Sequence, residues 1–180
     1  MSQTPVPTYV DTRKLVLRQG NISGSISLEK LPRFRDYLID DEASIQVQLY
    51  FSLSESEQPI ITGKLQASVH VNCQRCLEPL AIELADDIRL ALIKTADAIE
   101  DLDAGWDPWI CAGHKLELAT LVEEQLMLCM PIVNFHRSGD CLERINYSTG
   151  TDDGSVAAVN EISKNPFSVL KALKENNVTD

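Results

Sequence analysis

SIQVQLYFSL, residues 44–53, decides the fold of this chain. Apolar and polar side chains alternate along the stretch, which is the period of a β-strand. A strand of this kind buries one face and leaves the other to solvent, as is common in antiparallel sheets. The apolar face consists of Ile45, Val47, Leu49, Phe51 and Leu53.

Two further stretches show the same alternation, Ile60 to Val71 and Leu80 to Ile93. A turn near Ser54–Pro59 separates the first two stretches, and Cys73-Gln74-Arg75-Cys76 lies between the second and the third. Short connections of this kind join antiparallel neighbours. We therefore predict an antiparallel meander with the C-x-x-C at its second turn.

Helical patterns flank the meander. Residues 11–19 predict a short helix, and Ser27–Leu38 predicts a second one with Pro32 in or near its first turn, where proline is tolerated. Residues 116–130 repeat apolar side chains at helical spacing, and Pro131 ends that helix. The predicted fold class is α+β, an antiparallel β-sheet meander packed with helices.

The composition changes sharply towards the C-terminus. Residues 1–146 are predicted to form a single α+β domain. Residues 147–164 are rich in Gly, Asp, Ser and Thr, which predicts a flexible linker. Residues 165–180 predict a short helical segment, because Asn165 can cap a helix whose first position is Pro166.

The net charge of −11 is strongly acidic for 180 residues. Phosphate binding depends on Lys and Arg, so this charge argues against wrapping nucleic acid with the whole surface and suits a basic partner. The N-terminus lacks the pattern of a signal peptide, and no run of 18 apolar residues predicts a membrane span. Five cysteines are too few for a disulfide scaffold, so we expect a cytoplasmic protein with reduced thiols.

The charge is distributed unevenly along the chain. Residues 13–35 carry six bases and one acid, which predicts either an RNA-contacting patch or two solvated helix faces. Residues 95–107 predict an acidic loop that could hold a basic partner. The candidate RNA patch is Arg13, Lys14, Arg18, Arg33 and Arg35, and the candidate acidic surface is Asp97, Glu100, Asp101 and Asp103.

A C-x-x-C pair can be a metal half-site, a redox pair or a simple turn. A redox pair needs a helix N-terminus to activate its first thiol, whereas Pro79 and a strand pattern follow Cys76. Zinc prefers four Cys or His ligands, and His136-x4-Cys141 offers a second half-site, with 59 residues between the two halves. That distance is not a zinc-finger spacing, so the fold must join the halves. The predicted zinc ligands are Cys73, Cys76, His136 and Cys141, with Arg75 as a neighbouring binding residue.

Sequence signatures of common enzymes do not occur in the chain. A zinc deaminase needs H-x-E before P-C-x-x-C, but His70-Val71-Asn72 precedes this pair. H-E-x-x-H, G-x-S-x-G and Walker A sequences are also absent. These signatures therefore identify no catalytic residues, and no small-molecule substrate is evident from the sequence.

Three motifs in order resemble one family. They are C-x-R-C-L-E-P-L at 73–80, E-L-x-x-L-V-E-E-x-L-x-L-x-x-P-x-V-x-x-H at 117–136 and N-P-F-x-V-L-x-x-L at 165–173. Their order and spacing are similar to those of the bacterial large ribosomal RNA subunit accumulation (YceD) family, in its proteobacterial branch. The matched residues are Cys73, Arg75, Cys76, Glu124, Pro131, His136, Cys141, Asn165, Pro166 and Phe167.

This resemblance implies a non-enzymatic role in the synthesis, processing or stability of 23S ribosomal RNA, with 23S rRNA or a basic large-subunit ribosomal protein as the partner. It carries no catalytic residues over to this chain. The competing hypothesis is a regulatory binding protein, gated by thiol or zinc chemistry at Cys73 and Cys76.

Overall fold

The computed structural model describes residues 4–100, 102–137 and Cys141. Short 3₁₀ turns at Leu28–Lys30 and Ala96–Ile99 connect the larger elements. In chain order these are β1 (Tyr9–Asp11), α1 (Thr12–Leu17), β2 (Asn21–Ser25), α2 (Pro32–Arg35), β3 (Ser44–Leu53), β4 (Pro59–Asn72), β5 (Pro79–Ile93), β6 (Asp107–Ile110), β7 (Lys115–Glu117) and α3 (Leu118–Cys129).

The main sheet has five strands in the order β2-β3-β4-β5-β6. The first four strands are antiparallel neighbours, whereas β6 runs parallel to β5. A separate two-stranded sheet pairs β1 with β7. The meander and the α+β class are therefore confirmed, and the C-x-x-C lies at the predicted turn between β4 and β5.

One face of the main sheet forms the core of the described region. The alternating side chains of β3 from Ile45 to Phe51 are almost fully buried, and those of β4 continue the same face through Leu65 and Val69. Helix α3 packs against β4 and β5. Its buried apolar side chains include Leu118, Leu121, Val122 and Leu126. Burial of this shared apolar surface is the dominant driving force for folding.

The helix predicted over Ser27–Leu38 is wrong. The structure has a 3₁₀ turn at Leu28–Lys30 and a separate four-residue helix, α2, that begins at Pro32. Proline lacks the N–H that would continue the first helix, and it disfavours helical geometry at the preceding residue. Leu31 accordingly has φ −125° and ψ 62°, so the chain bends there and α2 restarts with proline at its N-terminus.

Helix α3 begins two residues later than its periodicity predicts. Lys115–Glu117 is extended because these residues pair with Asp11–Tyr9, and Leu118 N–H donates to the carbonyl of Thr8 at 3.1 Å. Tertiary pairing thus overrides the local helical pattern. No helix in the described ranges is long and apolar enough to cross a membrane.

The predicted linker at 147–164 and the predicted helical segment at 165–180 lie outside the described residues. The domain boundary after residue 146 therefore stays a prediction.

Candidate metal centre

The turn that joins β4 to β5 is folded around the first cysteine. Cys73 N–H donates to the carbonyl of Glu78 at 2.9 Å and closes the hairpin, while Leu77 N–H donates to the carbonyl of Cys73 at 2.8 Å. Leu77 takes φ +61°, a left-handed conformation that is costly for a residue with a side chain. The turn therefore tolerates strain in order to curl its backbone around the Cys73 sulfur.

A second segment, which follows α3, is tied to this turn through the backbone. Pro131 prevents α3 from continuing, and the chain runs irregularly from there to Arg137. Gln74 N–H donates to the carbonyl of Asn134 at 2.8 Å, and Asn134 is largely buried. This bond places His136 beside the C-x-x-C turn.

The four predicted ligands come together. One ligand atom from each of Cys73, Cys76, His136 and Cys141 lies within 4.8 Å of the other three. The Sγ of Cys76 and the Nδ1 of His136 are 3.5 Å apart. Sulfur ligands around tetrahedral zinc lie roughly 3.8 Å apart, because Zn–S bonds are about 2.3 Å long. The cluster therefore needs only a small contraction to surround a zinc ion.

Burial and hydrogen bonding act in opposite directions on the Cys73 thiol. Burial raises its pKa, but backbone N–H groups directed at the sulfur stabilise the thiolate and lower the pKa to about 6. Those N–H groups belong to Cys76, Arg75 and His136. A preformed thiolate is the form of cysteine that binds metal.

The second thiol of the pair responds to the first. An N–H from Glu78 lowers the pKa of Cys76, but burial and the negative charge of the neighbouring Cys73 and Cys141 sulfurs outweigh it and raise that pKa overall. Without a cation, the cluster therefore resists holding several thiolates at once. A divalent metal ion removes this repulsion, because it is the largest positive charge in such a site.

A contact at the Nε2 atom of His136 orients its imidazole ring. Its Nε2 lies 3.3 Å from the carbonyl of Pro79, the first residue of β5. A proton on Nε2 would leave Nδ1 free to bind metal, which is the usual outer-shell arrangement for a histidine ligand. Arg75 stacks on the ring of Phe135 at 4.2 Å, so it packs the surface of the cluster.

The arrangement suits a structural metal site. Three sulfurs and one imidazole nitrogen would fill a tetrahedral shell, with no position left for water or substrate. Bound zinc would link the β4–β5 hairpin to the segment that follows α3, and the donor set fits this ion by type and number.

The candidate basic patch is divided among different partners. Arg33 donates to Glu123 and Glu124 at 2.9 Å, and Arg35 pairs with Asp41 at 2.6 Å. Lys14 lies 3.6 Å from Asp11, which is the N-cap of α1. Arg13 and Arg18 are exposed and have no ion-pair partner among the described residues. The RNA patch stays a prediction.

The candidate acidic surface is solvent-exposed where the structure describes it. Asp97 lies in the 3₁₀ turn Ala96–Ile99 and Glu100 directly follows it. Asp103 accepts a hydrogen bond from Ser56 Oγ at 3.1 Å, whereas Asp101 lies outside the described residues. This surface also stays a prediction.

Glu123 is a residue whose importance sequence reasoning missed. The residue is only 5% exposed, and its carboxylate accepts the backbone N–H groups of Arg33 and Phe34, at 2.8 and 3.3 Å, besides the Arg33 side chain. It thereby satisfies the first N–H groups of α2, which has no capping side chain of its own. An acid in the middle of a helix that turns mostly apolar side chains inward is the sequence signal for this role.

Comparisons with known proteins agree with the three motifs. The family model described as large ribosomal RNA subunit accumulation protein YceD matches residues 61–174. A curated relative from Haemophilus influenzae, named large ribosomal RNA subunit accumulation protein YceD, is 26% identical over 178 residues, which cover 97% of this chain and 99% of the relative. No solved structure matches the chain. The chain therefore belongs to the YceD family of large ribosomal RNA subunit accumulation proteins.

Proposed function

We propose that this protein is a cytoplasmic, non-enzymatic factor in large ribosomal subunit biogenesis, and that it supports 23S rRNA accumulation by binding a basic large-subunit ribosomal protein. The family and the named relative supply the process. The choice of partner comes from the charge of the chain and from the positions of its acidic residues.

The observation that carries this choice is the contrast between the two predicted charged surfaces. Three of the five bases in the candidate RNA patch are paired with acids of the same chain. Asp97 and Glu100 in the acidic loop are exposed and have no ion-pair partner among the described residues. On a chain of net charge −11, exposed unpaired acids attract a basic protein and speed the encounter.

In this proposal the cysteine cluster is a structural zinc site. It would hold the β4–β5 hairpin against the segment after α3 and keep the partner-binding domain in one conformation. The name of the family refers to accumulation of rRNA and not to sensing. We therefore assign no regulatory gating to Cys73 and Cys76.

The test is a pull-down of tagged protein from lysate, treated with RNase and eluted with increasing salt. Large-subunit ribosomal proteins should remain bound after RNase and leave as salt screens the charges. A variant with Asp97, Glu100, Asp101 and Asp103 changed to Lys should retain about a tenth or less of the wild-type yield, because the attraction becomes repulsion.

The matched control reverses four exposed acids elsewhere, as E29K/E42K/E55K/E83K. It changes the net charge by the same amount and should retain most of the yield. Equal losses in both variants would mean that only net charge matters, and disappearance of the proteins with RNase would make RNA the primary ligand. Either result contradicts the proposal.

A further inference from the structure

A cavity lies between α1 and the end of β5, and none of its lining residues belongs to the cysteine cluster. It encloses about 470 Å³, within the ~300–1,000 Å³ range of small-ligand pockets. Val16 and Leu17 of α1 form one wall, and Leu53 and Leu92 of the main sheet form the other. Leu17 is 72% exposed, so the apolar wall continues to the protein surface.

The rim of this cavity is basic on an acidic protein. Arg13, Lys94 and His114 contribute to its lining. Acids make up 27 of the 180 residues, yet none of the thirteen lining residues is acidic. Arg13 and Lys94 have no ion-pair partner in the part of the chain that the structure describes. Two unpaired cations beside an apolar space favour a ligand that has both an anionic part and an apolar part.

An aromatic side chain adjoins the cavity. His114 also lines a neighbouring depression together with Tyr9 and Lys115. Tyr9 is 47% exposed, and the Lys115 ammonium lies 3.8 Å from the centre of its ring. Asp11 is the acid of this depression, and it accepts the Lys14 N–H at 3.1 Å. The tyrosine ring and the apolar cavity are thus neighbours across His114, which lines both depressions.

We infer that the cavity and the adjoining Tyr9 ring bind a short stretch of single-stranded RNA, with one unstacked base in the cavity. Single strands are bound by stacking on aromatic rings and by cations that follow the phosphates, and Tyr9, Lys115, Arg13 and Lys94 supply these groups. An acidic peptide could pair with the same cations, but the exposed Tyr9 ring favours a nucleic-acid base, which can stack on it. This site lies outside the acidic loop on which the proposed function rests.

The acidic loop lies close to this site along the chain. Asp97 is three residues beyond Lys94, although no residue of the loop lines the cavity. Its negative charge repels RNA, so neutralising it should strengthen RNA binding slightly. A loss of protein binding in loop variants and a loss of RNA binding in cavity variants can therefore be told apart.

The test measures fluorescence anisotropy of a fluorescein-labelled ten-nucleotide single-stranded RNA of mixed sequence, with the full-length protein at several salt concentrations. R13Q/K94Q should raise Kd about tenfold or more. It should also reduce the slope of log affinity against log salt by about 1.4, because single strands release ~0.7 counterion per neutralised phosphate. The matched control K30Q/K64Q removes the same charge away from the cavity and should change Kd by less than about twofold.

A second variant keeps the charge and fills the space. Ala112 lines the cavity and is exposed, so A112W should weaken RNA binding without unfolding the protein, as far-UV circular dichroism can check. Absence of RNA binding by the wild type at 50 mM salt, equal losses in both charge pairs, or unchanged binding by A112W would each overturn the inference. Tighter binding of a labelled Glu-Leu-Glu-Glu-Leu-Glu peptide than of RNA, lost in A112W, would overturn it in favour of a peptide site.

Discussion

Strand β4 is flanked by two turns of different character, one before its first residue and one after its last. At its start, residues 54–58 are closed by their own hydrogen bonds: Ser54 N–H donates to the carbonyl of Gln58 at 2.8 Å, and Gln58 N–H donates to Ser54 Oγ at 3.1 Å. At its end, residues 73–78 direct N–H groups at a sulfur and are tied to Asn134. The first turn is closed by its own residues, and its longer-range contacts are side-chain hydrogen bonds from Ser56 to Asp103 and from Gln58 to the carbonyl of Leu92. The second turn instead gathers candidate metal ligands from distant parts of the chain.

This difference shows what each turn contributes. Both turns contain one left-handed residue with a side chain, Glu57 at φ +60° and Leu77 at φ +61°. Strain of this kind is therefore not specific to a functional site in this protein. What distinguishes the second turn is the convergence of Cys and His side chains, and its stability should depend on metal.

The largest expected effect is loss of zinc-dependent stability in C73S/C76S. A metal that binds only the folded state stabilises it by about 4 kcal/mol at a thousandfold excess over Kd. The variant should lose this increment, and its urea midpoint should no longer respond to EDTA. The matched control C111S/C129S removes two half-buried thiols outside the cluster and should keep the response to EDTA. A wild-type midpoint that EDTA does not move would remove the distinction between the two turns.

His136→Ala should have the next largest effect. Loss of outer-shell partners alone costs 10–100-fold in metal affinity, so loss of a direct ligand should weaken zinc binding by about a hundredfold or more. Competition with a chromogenic chelator measures this change. His70→Ala, which removes a histidine paired with Asp40 at 2.9 Å, is the control and should leave zinc affinity unchanged. Equal affinity in wild type and H136A would exclude the histidine from the site.

At the other end of β4, Ser54→Ala should destabilise the protein by about 1 kcal/mol, because the Gln58 N–H loses a hydrogen-bond acceptor. Chemical unfolding with and without EDTA should show the same loss, since this turn makes no contribution to the cluster. Ser44→Ala, at an exposed position that begins β3, should stay within about 0.5 kcal/mol of wild type. A loss for S54A that disappears in EDTA would show that the two turns are coupled.

The smallest effect is expected at the left-handed residue that each of the two turns contains. E57G and L77G should each stabilise the protein by about 0.5 kcal/mol, because relief of ~1–2 kcal/mol of left-handed strain exceeds the ~0.5–1 kcal/mol entropic cost of glycine. The double variant should show the sum of the two changes, as distant sites do. Destabilisation by E57G alone would mean that the glutamate side chain supports its turn.

The parts of the fold that were predicted correctly depend on local pattern. Alternation along β3, β4 and β5 reports directly which side chains face the core, and the C-x-x-C marks the turn between two such strands. The parallel pairing of β6 with β5 and the pairing of β1 with β7 join residues far apart in sequence. The strands β1, β6 and β7 are too short to show an alternating pattern, so their pairing could not be inferred from the sequence.

The candidate site was predictable by residue type and not by geometry. Cysteine and histidine have few common roles, so Cys73, Cys76, His136 and Cys141 could be grouped before the fold was known, and the structure brings them together. Arginine and glutamate have many roles. The buried Glu123 forms an ion pair with Arg33, which is one of the basic residues of the predicted RNA patch. This pairing therefore could not be foreseen from the sequence.

The pairing of β1 with β7 determines how late in translation the two-stranded sheet can form. Tyr9 pairs with Glu117, so the first strand has no partner until more than a hundred further residues have been translated. At ~5–20 residues per second this takes on the order of 5–20 s. The C-x-x-C half of the cluster likewise emerges some 60 residues before His136. During this interval the nascent chain carries the two C-x-x-C thiols without the other candidate ligands, so the complete set could bind a metal ion only after Cys141 has been translated.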